Sequence, residues 1–140
     1  MVNALPEEDV EYLQNKGVKY ELVAEKDPNG NERRGVLFPD FEVPGNLGTR
    51  KDGTFVSCEH CELLIIIPQG YATTRLDSFY TIPHLKRKDG SEPDRANSET
   101  KLFGRSWQFW SRHLDEKDWR VGIDGLSTYC SYIAGELRNA

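Results

Sequence analysis

The stretch "FGRSWQFWSRHL", residues 103–114, sets two tryptophans and a phenylalanine within four positions, followed at once by Ser111, Arg112 and His113. So dense an aromatic cluster belongs in a core, where each ring removes a large apolar area from water. Read as a helix, Trp107, Trp110 and Leu114 fall on one face at three- and four-residue steps and anchor the segment. The same reading sets Ser111 and His113 about 200° apart around the axis. They then meet only if the helix ends between them or a substrate bridges them. A serine hydroxyl is a poor nucleophile until a base takes its proton. His113 is a base of the right type, with an ordinary pKa of about 6.5. The residues alone leave two roles open for Ser111: a cap or surface hydroxyl, and a nucleophile.

Around this stretch the chain reads as helix, then strands, then helix. Residues 6–16 open on proline, carry acids in the first turn and a lysine in the last, and stop at Gly17, as a helix should. Val18–Ala24 alternates apolar and polar side chains and predicts a strand. Asp27-Pro28-Asn29-Gly30-Asn31 is a strong turn, so Arg34–Phe38 returns as the second arm of a hairpin. Pro39–Gly53, with two prolines and three glycines, is expected to be mostly loop. Phe55–Ile67 is expected as one long strand with a bulge near Cys58–Cys61, ended by Pro68. Leu76–Ile82 is a fourth strand, and residues 86–99 show little sign of regular structure. A last helix near 123–137 carries Leu126, Tyr129, Cys130, Ile133 and Leu137 as one apolar stripe. The order is α+β, and 140 residues suit a single domain, 1–140.

Composition excludes several functions. The net charge of −5 opposes general nucleic-acid binding, which needs a basic field to neutralise phosphates. The short run Lys86-Arg87-Lys88 reads as a solvated loop. The longest apolar run, Leu63–Ile67, is far below the ~20 residues of a membrane span. Without the basic and apolar regions of a signal peptide the chain is expected in the cytosol, where its three cysteines stay reduced. Cys58 and Cys61 form one Cys-x-x-Cys pair, whereas a structural zinc draws four ligands, usually from two such pairs. Cys130 lies on the apolar stripe, where a thiol behaves as a small hydrophobe. Phosphate-loop, dinucleotide, nucleophile-elbow and zinc-protease patterns are all missing. Neither a metal nor a cofactor is expected.

Four segments together resemble a known family. "LPEEDVEYLQNKGVKYEL", "LLIIIPQGYATTRLDSFY", "FGRSWQFWSRH" and "WRVGIDGLSTYCSYIAGEL" are similar to prokaryotic family E of the ubiquitin-conjugating (UBC-fold) superfamily, and the Gly-Arg-Ser-Trp-Gln-x-Trp-Ser-Arg-His string is the specific part. The resemblance implies a UBC-like α+β fold: a four-stranded antiparallel meander with an N-terminal helix and C-terminal helices. It also implies a bacterial ubiquitin-like conjugation system, with a ubiquitin-like protein, an activating enzyme and a metal-dependent peptidase as partners. By analogy alone, such systems suit phage defence.

The departures from the family pattern define the question. Typical UBC enzymes carry His-Pro-Asn after the fourth strand and then a cysteine that accepts the ubiquitin-like C-terminus. Here the region is Ile82-Pro83-His84-Leu85, and residues 62–129 hold no cysteine. An ungapped match of Trp119–Leu137 puts Ser111 near the missing thiol, and the resemblance marks the His113 position as functional. Two functions follow. In one, Ser111 carries the ubiquitin-like C-terminus as an oxyester with His113 as base, while Arg105 or Arg112 holds a carboxylate or an acidic partner. In the other, the domain is a non-catalytic adaptor that binds a ubiquitin-like protein or its activating enzyme.

Overall fold

A computed structural model describes residues 5–71, 74–113, 119–121 and 123–140, and of His113 the backbone alone. Helix α1, Glu7–Lys16, begins after Pro6 and ends at Gly17, whose φ of 66° is the left-handed conformation that closes helices. Its amide donates to Gln14 O (3.2 Å). Strands follow as β1 (Glu21–Lys26), β2 (Glu32–Glu42), β3 (Leu47–Lys51), β4 (Thr54–Ser57), β5 (His60–Ile67), β6 (Asp77–Ile82), β7 (Lys86–Arg87), β8 (Ser98–Leu102) and β9 (Arg105–His113). Helix α2, Leu126–Arg138, completes the order. The architecture is α+β, with a helix near each end and antiparallel sheets between them.

The main sheet has six strands in the order β1-β2-β5-β6-β9-β8, not the four expected, and β4-β3-β7 form a second sheet. The two extra members of the main sheet are β8 and β9. The aromatic stretch, expected as a helix, is strand β9, whose side chains alternate between faces. Trp110 joins the main core, while Trp107 packs with Leu64 and Leu102 in a smaller cluster. On a helix a three-residue step would have kept the rings together. Leu114 lies outside the described residues. Among those residues α2 is the single C-terminal helix.

Other corrections have local causes. Pro39 does not end β2; it sits in a bulge between Phe38 and Phe41, where a missing N–H costs no ladder bond. The expected loop 39–53 therefore holds the end of β2 and all of β3. The long strand expected over 55–67 breaks at Cys58-Glu59 into β4 and β5, which belong to different sheets. Cys58 N donates to Leu47 O (3.0 Å) and Glu59 O accepts from Val43 N (2.8 Å), so the break is satisfied by backbone bonds. The stretch 86–99 contains β7 and the start of β8.

Helix α2 seats on the sheet through the expected stripe: Leu126, Tyr129, Cys130, Ile133 and Leu137 are all buried. They meet Leu13 of α1 and Val36, Leu63, Ile65, Phe79 and Trp110 of the sheet. The first residue before α2, Gly125, has no side chain to cap the helix, so the cap comes from α1. Asp9, buried in the core, accepts from Leu126 N at Oδ1 (3.0 Å) and from the Tyr71 hydroxyl at Oδ2 (2.5 Å). Asn46 closes the other end, donating to Leu137 O (2.8 Å).

A Cβ at position 125 would stand 2.5 Å from Asp9 Oδ1 and 3.1 Å from the Tyr71 hydroxyl. Gly125→Ala is therefore expected to lower unfolding stability by about 1–3 kcal/mol through overpacking and loss of the cap. Urea titration checks it, and an unchanged midpoint would refute the cap.

Candidate functional site

Strand β9 lies between β6 and β8, and its inner residues are fixed before any functional group is placed. Trp110 is stacked on Phe79 with ring centroids 5.3 Å apart, and its Nε1–H donates to Thr81 Oγ1 (2.9 Å). Thr81 donates in turn to Gln108 Oε1 (2.9 Å), which also accepts from Leu85 N (2.7 Å). Gln108 Nε2 donates to Leu85 O (2.9 Å) and Ala96 O (2.8 Å). A buried amide with all its hydrogen-bonding capacity used ties two irregular segments to one strand. Ser111 N then donates to Arg95 O (3.1 Å), continuing the same seam.

Past Trp110 the ladder with β6 slips. Strand β9 uses the three steps from Trp110 to His113 where β6 uses the two from Phe79 to Asp77. The extra residue is a β-bulge, a device that re-aims side chains near sites. Opposite it stands Ser78 at a φ of 60°, a left-handed backbone that serine rarely adopts. Ser111 lies in the bulge and is half-buried. His113 is two residues on, with its Cα opposite that of Asp77. The expected pairing of the Ser111 hydroxyl with the His113 ring falls on a side chain outside the described residues.

The two arginines have different surroundings. Arg112 is buried, with Nε 2.6 Å from a Glu136 carboxylate oxygen and its guanidinium 5.2 Å from the Trp110 ring centroid. Its Nη1 donates to Ser111 O (3.0 Å), and its own carbonyl accepts from the Tyr129 hydroxyl (3.1 Å). Arg105 is half exposed and grips Glu62 through two 2.7 Å bonds, with its guanidinium 5.3 Å from the Trp107 ring centroid. That hydrogen-bonded pairing lowers the Glu62 carboxyl and raises the Arg105 guanidinium from their ordinary pKa values. Both forks are engaged within the fold; only Arg105 is also open to solvent.

No thiol is activated. Burial pushes Cys61 and Cys130 up to about 12 and raises Cys58 as well. Among the described residues no group of three or more His, Cys, Asp and Glu side chains is arranged to hold a metal ion. In the segment matching His-Pro-Asn, His84 is held between Glu92 Oε1 (2.6 Å from Nε2) and Glu99 Oε2 (2.8 Å from Nδ1). Both ring nitrogens are thus engaged by carboxylates. A groove of about 840 Å³ lies elsewhere, between α1, β2 and α2, with Tyr12, Phe41 and Ala134 among its walls and no residue of 103–113.

Sequence reasoning missed the groups that converge near the bulge from other elements. Burial raises the Tyr132 phenol of α2, Glu136 and Asp77 add to this, and Arg112 and Arg95 oppose it. One helix turn therefore feels charges from β6, β9 and the segment before β8. Asp77 and Arg95 gave no signal, because only sheet register and the Gln108 seam bring them here.

A mostly antiparallel sheet with an N-terminal and a C-terminal helix is consistent with a ubiquitin-conjugating-like (E2-like) fold, although the sheet has six strands rather than four. The profile of prokaryotic E2 family E matches residues 5–140, and the chain belongs to that family. Membership gives it a ubiquitin-conjugating-like role in a bacterial system and implies dealings with a ubiquitin-like protein and an activating enzyme. Neither the curated proteins nor the solved structures yield a match. No helix among the described residues is long and apolar enough to cross a membrane.

Thiols raised this far stay protonated at neutral pH, and it is the thiolate that reacts. Iodoacetamide at pH 7.5 is expected to leave Cys61 and Cys130 of the folded protein unmodified over a period that fully alkylates the urea-unfolded chain. Peptide mass spectrometry reads the result. Rapid native labelling of Cys130 would reopen a cysteine mechanism.

Proposed function

We propose that the chain accepts the C-terminus of a ubiquitin-like protein on Ser111 as an oxyester, acting as one conjugating unit over residues 1–140. The observation that carries this reading is the β9 bulge. It holds a half-buried serine beside buried scaffolding, in a fold where burial raises all three thiols, Cys61 and Cys130 to about 12. Ser111 Oγ attacks the carbonyl carbon of the thioester that links the ubiquitin-like protein to its activating enzyme. The new O–C bond forms as the C–S bond breaks. The serine proton passes to the His113 imidazole and from there to the departing thiolate, so charge balances. Oxygen ionises less readily than sulfur, which makes base assistance a larger share of the rate.

Arg105 is the candidate for docking an acidic partner, since its guanidinium meets solvent and an incoming carboxylate can compete with Glu62. Arg112, proposed for the same role from the sequence, serves better as the fixed post behind Ser111, because it is buried against Glu136. The metal-dependent peptidase belongs to this reading as the enzyme that would process or reverse the link. A cytosolic phage-defence system is the setting proposed. A second reading, a binding adaptor without catalysis, is favoured by the lack of any cysteine in residues 62–129.

The test is a charging reaction with the cognate ubiquitin-like protein, its activating enzyme and ATP. The expected product is an adduct that survives thiols, yields to hydroxylamine and disappears in Ser111→Ala. His113→Ala is expected to slow its formation by about 10²–10⁴-fold, the usual worth of a general base. An adduct on a cysteine overturns the proposal, and tight binding with no adduct turns it into the adaptor.

A further inference from the structure

We infer that Asp77 is the positioning carboxylate for His113, so that the site is built from Ser111, His113 and Asp77 across two strands. The inference rests on the reading of Ser111 and His113 just given. Its own ground is the register of the sheet: Asp77 of β6 stands directly opposite His113 of β9. Opposed residues in an antiparallel ladder have Cβ atoms about 4.5–5.5 Å apart on one face, within reach of a carboxylate–imidazole hydrogen bond.

The bulge makes this pairing. With no extra residue in β9, the ladder counted from Phe79–Trp110 would set Asp77 opposite Arg112. Instead Arg112 pairs with Glu136, and the Cα of Asp77 stands opposite that of His113. The slip carries a cost in the left-handed backbone of Ser78, and strain of that kind collects at functional sites. Asp77 is exposed at the start of β6; burial raises the phenols of Tyr129 and Tyr132 on α2, and the charge of Asp77 adds to it. The other groups acting on those two tyrosines are Glu136 of α2, Tyr80 of β6, Arg112 of β9, Arg95 before β8 and Arg75 before β6. A histidine base needs a fixed acceptor on one ring nitrogen to present the other, which is the part a third residue plays in hydrolase triads.

The experiment reads the histidine itself. The chain has three histidines, so the imidazole signals of the ¹⁵N-labelled protein are assignable with His113→Ala. A neighbouring carboxylate favours the imidazolium and raises its pKa. Asp77→Asn is accordingly expected to lower the His113 pKa by about half a unit or more, with the His60 and His84 titrations unmoved. In the charging reaction, Asp77→Asn is expected to slow adduct formation about 10- to 100-fold, shift the rising limb of the pH–rate profile to lower pH, and be partly rescued by Asp77→Glu. A His113 titration that does not move overturns the inference, whatever the rates do. Persistence of the adduct in Ser111→Ala sinks the function proposed above instead, and leaves the titration to decide the role of Asp77.

Discussion

A buried side-chain amide organises the functional end of the molecule. An unsatisfied buried polar group costs about 1–3 kcal/mol, so Gln108 in the centre of β9 compels its surroundings to answer it. Thr81, Leu85 and Ala96 do so with four bonds, and the segments on either side of β7 are thereby fastened to the strand. Thr81 also receives the Trp110 indole, so the same network fixes the aromatic core and the register of β6 against β9. Everything beyond Trp110 inherits that register. The bulge, the pairing of Arg112 with Glu136 and the ladder position of Asp77 opposite His113 all lie beyond that satisfied amide in the same register.

This arrangement also explains how the fold separates rigidity from reactivity. Apolar packing accounts for α2, through a stripe that meets both α1 and the sheet. Polar groups of the core fasten segments together: Asp9 caps α2 from another helix, and the Asn46 amide nitrogen closes its far end. Cys61 and Cys130 fall on the packing side of this division, where burial raises their thiols to about 12. Ser111 falls on the other side, in the bulge, where the ladder is interrupted and the residue is half-buried.

Much of the scaffold was legible in the residues. The N-terminal helix, its glycine stop, the Asp27–Asn31 turn and the full packing stripe of the last helix follow from local rules: capping, φ preferences and the 3.6-residue period. The errors share one origin. Trp107, Trp110 and Leu114 fit a helical face as well as a strand, and nothing local says that two clusters on opposite faces of a sheet are waiting for the two rings. Phe55–Ile67 reads as one strand because its break is made by partners in Val43 and Leu47, residues far back in the chain. Pro39 looked like an end, whereas the neighbouring strand tolerates it as a bulge.

The sequence by itself determined the α+β order, the resemblance to the family through its Trp-Gln-x-Trp-Ser-Arg-His string, and the absence of cysteine from residues 62–129. Those features depend on residue identity and short-range spacing, which need no partner to be read. Only the tertiary structure decided that the string is a strand, that Arg112 belongs to the core while Arg105 meets solvent, and that Asp77 comes opposite His113. These last are facts of register. Register is fixed by hydrogen bonds between residues some thirty positions apart, and a one-residue bulge changes which side chains face each other without leaving any local mark in the chain.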